Sequence, residues 1–133
     1  MNPELRSAYL RTTFRVFEPA IDIQVGKINT DLNALLEKYQ QEEWAFITAW
    51  NPYSKTLTQK ENAERQAALT KDLELYTCFQ GEGVGEDPAW EPERSLLILG
   101  ISGTEASALG IKYKQNAIGT GTKNSAAELI VLV

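Results

Sequence analysis

Seven consecutive uncharged residues, Trp44-Ala45-Phe46-Ile47-Thr48-Ala49-Trp50, run straight into the polar turn Asn51-Pro52-Tyr53-Ser54. That junction constrains the fold more than any other stretch. A run that is apolar on both faces suits a strand covered on both sides of its sheet; a buried helix would share the composition, but the Asn-Pro stop decides for a strand. Pro52 has no N–H and biases Asn51 toward extended backbone. Regular pairing should therefore end there, with the Asn51, Tyr53 and Ser54 side chains at the strand's carboxyl end. In open α/β sheets, ligands favour that end.

A second apolar run, Leu96-Leu97-Ile98-Leu99-Gly100-Ile101, predicts another central strand. Ala8, Leu10, Thr12, Phe14 and Val16 alternate with Tyr9, Arg11, Thr13, Arg15 and Phe17, which predicts a first strand ended by Pro19. Arg11 and Arg15 would share a face of it, as a small basic stripe or as ordinary solvated charges. Helical spacing of Ile28, Leu32, Leu35, Leu36 and Tyr39 predicts a helix over about 30–41, capped by Asn29 or Thr30. The capping-box pattern Thr58-Gln59-Lys60-Glu61 opens a second helix, running from 59 to about 73. Ser102 with Glu105 opens a third that carries Ala106, Leu109, Gly110 and Tyr113. Shorter strands are expected at 75–80, 117–120 and 127–133, the last two around a turn at Lys123-Asn124.

The sum is one domain over residues 1–133, a mixed α/β (α+β) sheet of about six strands and three helices in the order βαβαββαββ. A strand–helix–strand order permits a parallel crossover. Gly81-Glu82-Gly83-Val84-Gly85-Glu86-Asp87-Pro88 reads as a connecting loop, because its acids would repel a phosphate and no helix pattern follows. Gly119-Thr120-Gly121-Thr122-Lys123-Asn124-Ser125 has the wrong spacing for a Walker loop and also precedes a strand.

Composition excludes several functions. There is no histidine, so a histidine-based triad or zinc site cannot be built from one chain. No metal or other cofactor is expected, and Glu82, Glu86 and Asp87 lack the spacing of a calcium loop. A net charge of −5 and a pI near 4.8 argue against non-specific nucleic-acid binding. No apolar run approaches the roughly 20 residues of a membrane span. The lone Cys78 and the absence of a leader pattern suit a reducing cytoplasm.

What the chain offers instead is amides. Asn62 and Gln66 occupy the first half of a helix stripe whose second half is Leu69 and Leu73, and Gln115-Asn116 follows the third helix. An amide beside apolar strands is costly without partners, so Asn51, Ser54, Asn62, Gln66, Gln115 and Asn116 are expected to converge. One reading has them lock the Asn-Pro turn to its neighbours. The other makes them, with Tyr53 and Arg65, the lining of a pocket for a small neutral polar ligand. Two further functions stay open: an enzyme using Glu61, Glu91 or Glu93 as acid or base with Arg65 stabilising an anion, and a protein-interaction or regulatory partner recognising a basic target.

Taken together, Tyr9…Thr12…Phe14, the stretch from Trp44 to Ser54, Asn62…Arg65-Gln66…Leu69, Trp90-Glu91…Glu93-Arg94-Ser95 and Gln115-Asn116-Ala117 resemble the bacterial family called domain of unknown function 3293. The Asn-Pro-x-Ser turn and the Gln-Asn-Ala triplet are its most characteristic words here. The resemblance implies a compact single domain, and it brings no activity with it.

Overall fold

A computed structural model describes residues 1–133. In chain order the elements are α1 (Pro3–Leu10), β1 (Thr13–Val16), β2 (Ile21–Gln24), α2 (Thr30–Lys38), β3 (Glu43–Ile47), a 3₁₀ turn (Pro52–Ser54), α3 (Gln59–Asp72), β4 (Thr77–Val84), β5 (Glu93–Leu99), α4 (Gly103–Lys112), β6 (Ala117–Thr122) and β7 (Glu128–Val131). The strands form one sheet in the order β2-β1-β4-β5-β3-β6-β7, antiparallel at every pairing. The predicted succession is contained in this order, with α1 and β2 added. No parallel crossover forms, because β4 and β5 lie between β1 and β3.

The two apolar runs hold the centre, with Trp44 opposite Leu99 and Ile47 opposite Leu96. Their period of two sends Trp44, Phe46, Leu97 and Leu99 to one face and Ala45, Ile47, Leu96 and Ile98 to the other. Both faces are covered, which is why the runs show no polar alternation. The first face packs on Leu32, Leu35 and Leu36 of α2. Its cluster takes Ile21 and Ile23 from one edge strand and Ala127 from beside the other, so this face is the inside of a curled sheet. Where the edges meet, Val25 bridges Ala127, the Gly26 N–H donates to the Ala127 carbonyl at 2.8 Å, and the Ala127 N–H donates to Lys27 at 3.1 Å. The outer face is covered by Leu69 of α3, Ala106 of α4, and Leu73 and Tyr113 just beyond those helices. Each such buried leucine or isoleucine contributes on the order of 1.5–3 kcal/mol, so these two layers outweigh any single polar contact described below.

Several expectations are corrected. The alternation at 8–17 belongs to two elements: Asn2 caps α1 by accepting from the Leu5 N–H at 2.7 Å, Pro3 and Glu4 fill its first turn, and only residues 13–16 pair as a strand. Arg11 and Arg15 make no basic stripe, since Arg11 meets Glu86 at 3.3 Å and Arg15 meets Asp22 at 3.1 Å. Residues 81–84 are not loop but the second half of β4. A Cβ on Gly81 would lie 2.3 Å from the Arg15 carbonyl oxygen, so the glycine is what lets β4 reach β1. No helix is long and apolar enough to cross a membrane.

Candidate functional site

β3 stops at Ile47, and the segment after it is held in an uncommon backbone. Asn51 (φ 45°), Tyr53 (φ 51°) and Ser54 (φ 60°) are all left-handed. The extended conformation expected at Asn51 is therefore wrong. Asparagine is among the few residues that tolerate this region, and hydrogen bonds outweigh the bias imposed by Pro52. The Asn51 N–H donates to Asn62 Oδ1 at 2.8 Å, and the Tyr53 N–H donates to the Lys114 carbonyl at 2.7 Å.

The amides do come together. Asn62 Nδ2 donates to Asn51 Oδ1 at 2.7 Å, and that oxygen also accepts the Leu57 N–H at 3.0 Å. Gln66 Oε1 accepts the Ala49 N–H at 3.0 Å, while its Nε2 is buried without a partner. Arg65 donates to the Ala49 carbonyl at 2.8 Å and to that of Tyr113. Gln115 Nε2 donates to the Trp50 and Tyr113 carbonyls, both at 3.2 Å, and Asn116 Nδ2 donates to Ser54 Oγ at 2.9 Å. Most of this hydrogen bonding is spent on backbone, tying the loop after β3 to α3 and to the segment after α4.

In front of this scaffold, at the end of the sheet where β3 finishes, lies a cleft of about 540 Å³. It is bounded by α1 (Leu5, Ala8, Tyr9), by the inner face (Phe14, Phe46, Gly119) and by the loop carrying Trp90. The Phe14 and Phe46 rings stack with centroids 4.8 Å apart, and Gly119 makes room for them, since a Cβ there would lie 2.3 Å from Phe14 Cε2. Thr48, Ser54, Glu93, Ser95 and Gln115 give the cleft a polar side. Of the eight candidate residues, only Ser54 and Gln115 line it. Asn51 and Asn116 stand one contact behind, Tyr53 is exposed, and Asn62, Arg65 and Gln66 lie outside the lining.

Glu93 is the chemical focus. The period that turns Leu97 and Leu99 inward turns Glu93 and Ser95 inward too, where no lysine or arginine pairs with the carboxylate. Burial pushes its pKa up to about 7, and the Asn51 amide beside it pulls the other way. Asn51 Oδ1 is already occupied by two donors, so the amide group is what that residue has left for Glu93. Nearby, burial raises the Tyr9 phenol, Ser54 and Asn116 beside it oppose the rise, and the Glu93 charge adds to it. Glu61 is spent on its capping box with Thr58, and Glu91 is exposed at the rim.

The model of a family described as protein of unknown function (DUF3293) matches residues 47–118. The chain belongs to that family. No curated protein and no solved structure matches the chain. The DUF3293 match runs from the end of β3 through Glu93 to Ile118 of β6; α1 with Tyr9 and β1 with Phe14 lie before it. In the sequence, Glu93 stands out only as one of three possible acids, with Glu61 and Glu91. Tyr9 and the two phenylalanines read there as strand residues, although Tyr9 and Phe14 are among the words that carry the family resemblance.

Proposed function

We propose that this DUF3293 protein is a small-molecule-binding domain whose ligand sits in the cleft between α1 and the open end of the curled sheet. The observation that carries the reading is Glu93, an inward-facing carboxylate without a cationic partner in the wall of a 540 Å³ cleft. An unpaired carboxylate half-removed from water is costly to keep, and such costs concentrate where a ligand or a proton is handled. The volume lies in the range of small-ligand sites, with an apolar floor for a ligand body and a few polar groups to orient it. In this reading the amides support the site: Asn62 holds Asn51 behind Glu93, and Asn116 holds Ser54 beside Tyr9.

Filling the cleft tests this. A Cβ on Gly83 meets nothing nearer than Thr12 Cγ2 at 3.9 Å, so the backbone there has room for a side chain and Gly83→Leu extends one into the cleft lining. Ligands found by thermal-shift screening of the wild-type protein should be lost in Gly83→Leu while its own unfolding temperature stays within a few degrees. Hits that bind the filled variant equally well would place the ligand elsewhere.

A second reading shares the site. A carboxyl group with a pKa of about 7 is matched to proton transfer near neutrality, which favours a carboxylate-dependent enzyme with Glu93 as general acid or base. Arg65, whose guanidinium is occupied by the Ala49 and Tyr113 carbonyls, takes no part in this version. A bell-shaped rate profile that loses one limb in Glu93→Gln would distinguish it from simple binding.

A further inference from the structure

We infer that the cleft takes an organic cation, an amine or amidinium carried on a flat apolar body. The inference rests on the binding reading above and names the class of ligand. Its first support is the charge around the opening. Four carboxylates, Glu86, Asp87, Glu91 and Glu93, line the cleft against a single guanidinium, Arg11, which Glu86 already holds at 3.3 Å. A low-dielectric cleft rimmed by one sign of charge concentrates ions of the other sign and repels its own, so phosphates and carboxylates are disfavoured. Arg94, the nearest cation in sequence, is not part of the lining, because it alternates to the other face of β5 and sits opposite Glu82.

The second support is that Glu93 is partly withdrawn from water in the cleft wall, whereas Glu86, Asp87 and Glu91 are exposed. Its neighbours are the Asn51 amide, which hydrogen-bonds to it, and the Tyr9 phenol, which feels its charge; neither can neutralise it. A cation neutralises the charge and can also donate N–H bonds to both carboxylate oxygens, which helps to offset the loss of hydration. Opposite Glu93 in the sheet register is Gly83, which puts no side chain over the carboxylate and leaves the approach from the cleft open. The raised pKa agrees with this: without a counter-ion the group retreats toward its neutral form.

The third support is the apolar wall. The half-buried Tyr9 and the exposed Trp90 offer aromatic surface for a planar ligand body, above a floor in which the stacked Phe14 and Phe46 rings are almost fully buried. Aromatic faces also attract cations, the more strongly the further the charge is desolvated. Acid in the wall and aromatic surface around it together select for a positive head on a flat, greasy frame.

The test uses matched probes that differ only in charge: tryptamine, tryptophol and indole-3-acetate, with benzamidine, benzamide and benzoate as a second series. Each is titrated at pH 8 into the ¹⁵N-labelled 133-residue chain and followed by the backbone amide signals of Tyr9, Gly83 and Ser95. The expected result is that tryptamine or benzamidine shifts these signals with at least about tenfold tighter affinity than its neutral partner, and that the anions do not shift them. In Glu93→Gln, whose unchanged spectrum elsewhere confirms folding, the preference for the cation should vanish. Repeating the wild-type titration at pH 5 should weaken cation binding without any mutation. If the neutral or anionic members bind the cleft as well as the cations, the cleft is a ligand site and the cation assignment is overturned. If no probe moves the cleft signals, both the assignment and the binding reading fall.

Discussion

Asn51 and Asn62 are joined twice: the Asn51 N–H donates to Asn62 Oδ1 at 2.8 Å, and Asn62 Nδ2 donates back to Asn51 Oδ1 at 2.7 Å. This reciprocal pair fastens a left-handed turn to the buried face of α3, and it fixes which way the Asn51 amide can point. Replacing Asn62 by alanine strands the Asn51 N–H and frees the turn. The expected loss is roughly 1–3 kcal/mol in urea denaturation, with the slope unchanged. Lys60→Ala, exposed two residues earlier on the same helix, should cost less than about 0.5 kcal/mol. Equal effects for the two would remove the structural role assigned to the pair.

Glu93 gives a pH prediction with a definite sign. Burial raises its pKa in the folded protein from the usual 4.5 to about 7, so between these values the native state holds a proton that the unfolded chain has released. Stability from this group is therefore greatest below about pH 4.5, falls as pH rises to about 7, and is level above. Glu93→Gln should flatten that slope and, at pH 8, raise stability by roughly 1–3 kcal/mol, allowing for the group's partial solvation. Denaturation of both proteins at pH 5.5 and pH 8 reads this directly; a variant less stable at pH 8 would contradict it.

Gly81 is held in place by backbone rather than by a side chain that could yield. A Cβ there would sit 2.3 Å from the Arg15 carbonyl oxygen and 3.3 Å from Phe46 Cε2. Gly81→Ala should cost about 1–3 kcal/mol by pushing β4 from β1. Gly83→Ala, two residues on in the same strand and with open space, should be neutral or slightly stabilising. Thermal unfolding of the pair separates them.

Cys78 faces the outer core, where burial pushes its thiol pKa up from 9.0 to about 11. The thiolate is the reactive form, so at pH 8 the native protein should contain about a hundredfold less of it than the unfolded chain. Labelling with a disulfide reagent should be slow in buffer and should speed up sharply in denaturant. Rapid labelling of the native state would show that the strand opens locally.

The parts of this fold that could be read from sequence are those decided by local chemistry. The runs at 44–50 and 96–101 point to central strands because both faces are apolar, the capping box at Thr58 forms as its residue types require, and Ser102 caps α4 by accepting from the Glu105 N–H. β2 was missed because four residues directly after Pro19 and Ala20 are too short a signal, although Ile21 and Ile23 alternate with Asp22 and Gln24. α1 was missed because an alternating pattern runs across its end, and it hid the Asn2-Pro3-Glu4 start. The convergence of the amides followed from their need for partners. The cleft could not be read in the same way, since it depends on the curl of the sheet, which brings Tyr9 of α1 to the Glu93 end of β5.

The contact between Val25 and Ala127 also has a bearing on the order of assembly. It joins residues near opposite ends of the chain, so no part of it can exist until residue 127 is available to pair. Loop-closure entropy rises only slowly with length, which makes such a closure affordable in equilibrium terms but late in kinetic terms. A growing chain must therefore carry its first strands with unshielded backbone donors and acceptors. The intermediate most prone to stick to other copies is the nearly complete sheet whose two margins have not yet met.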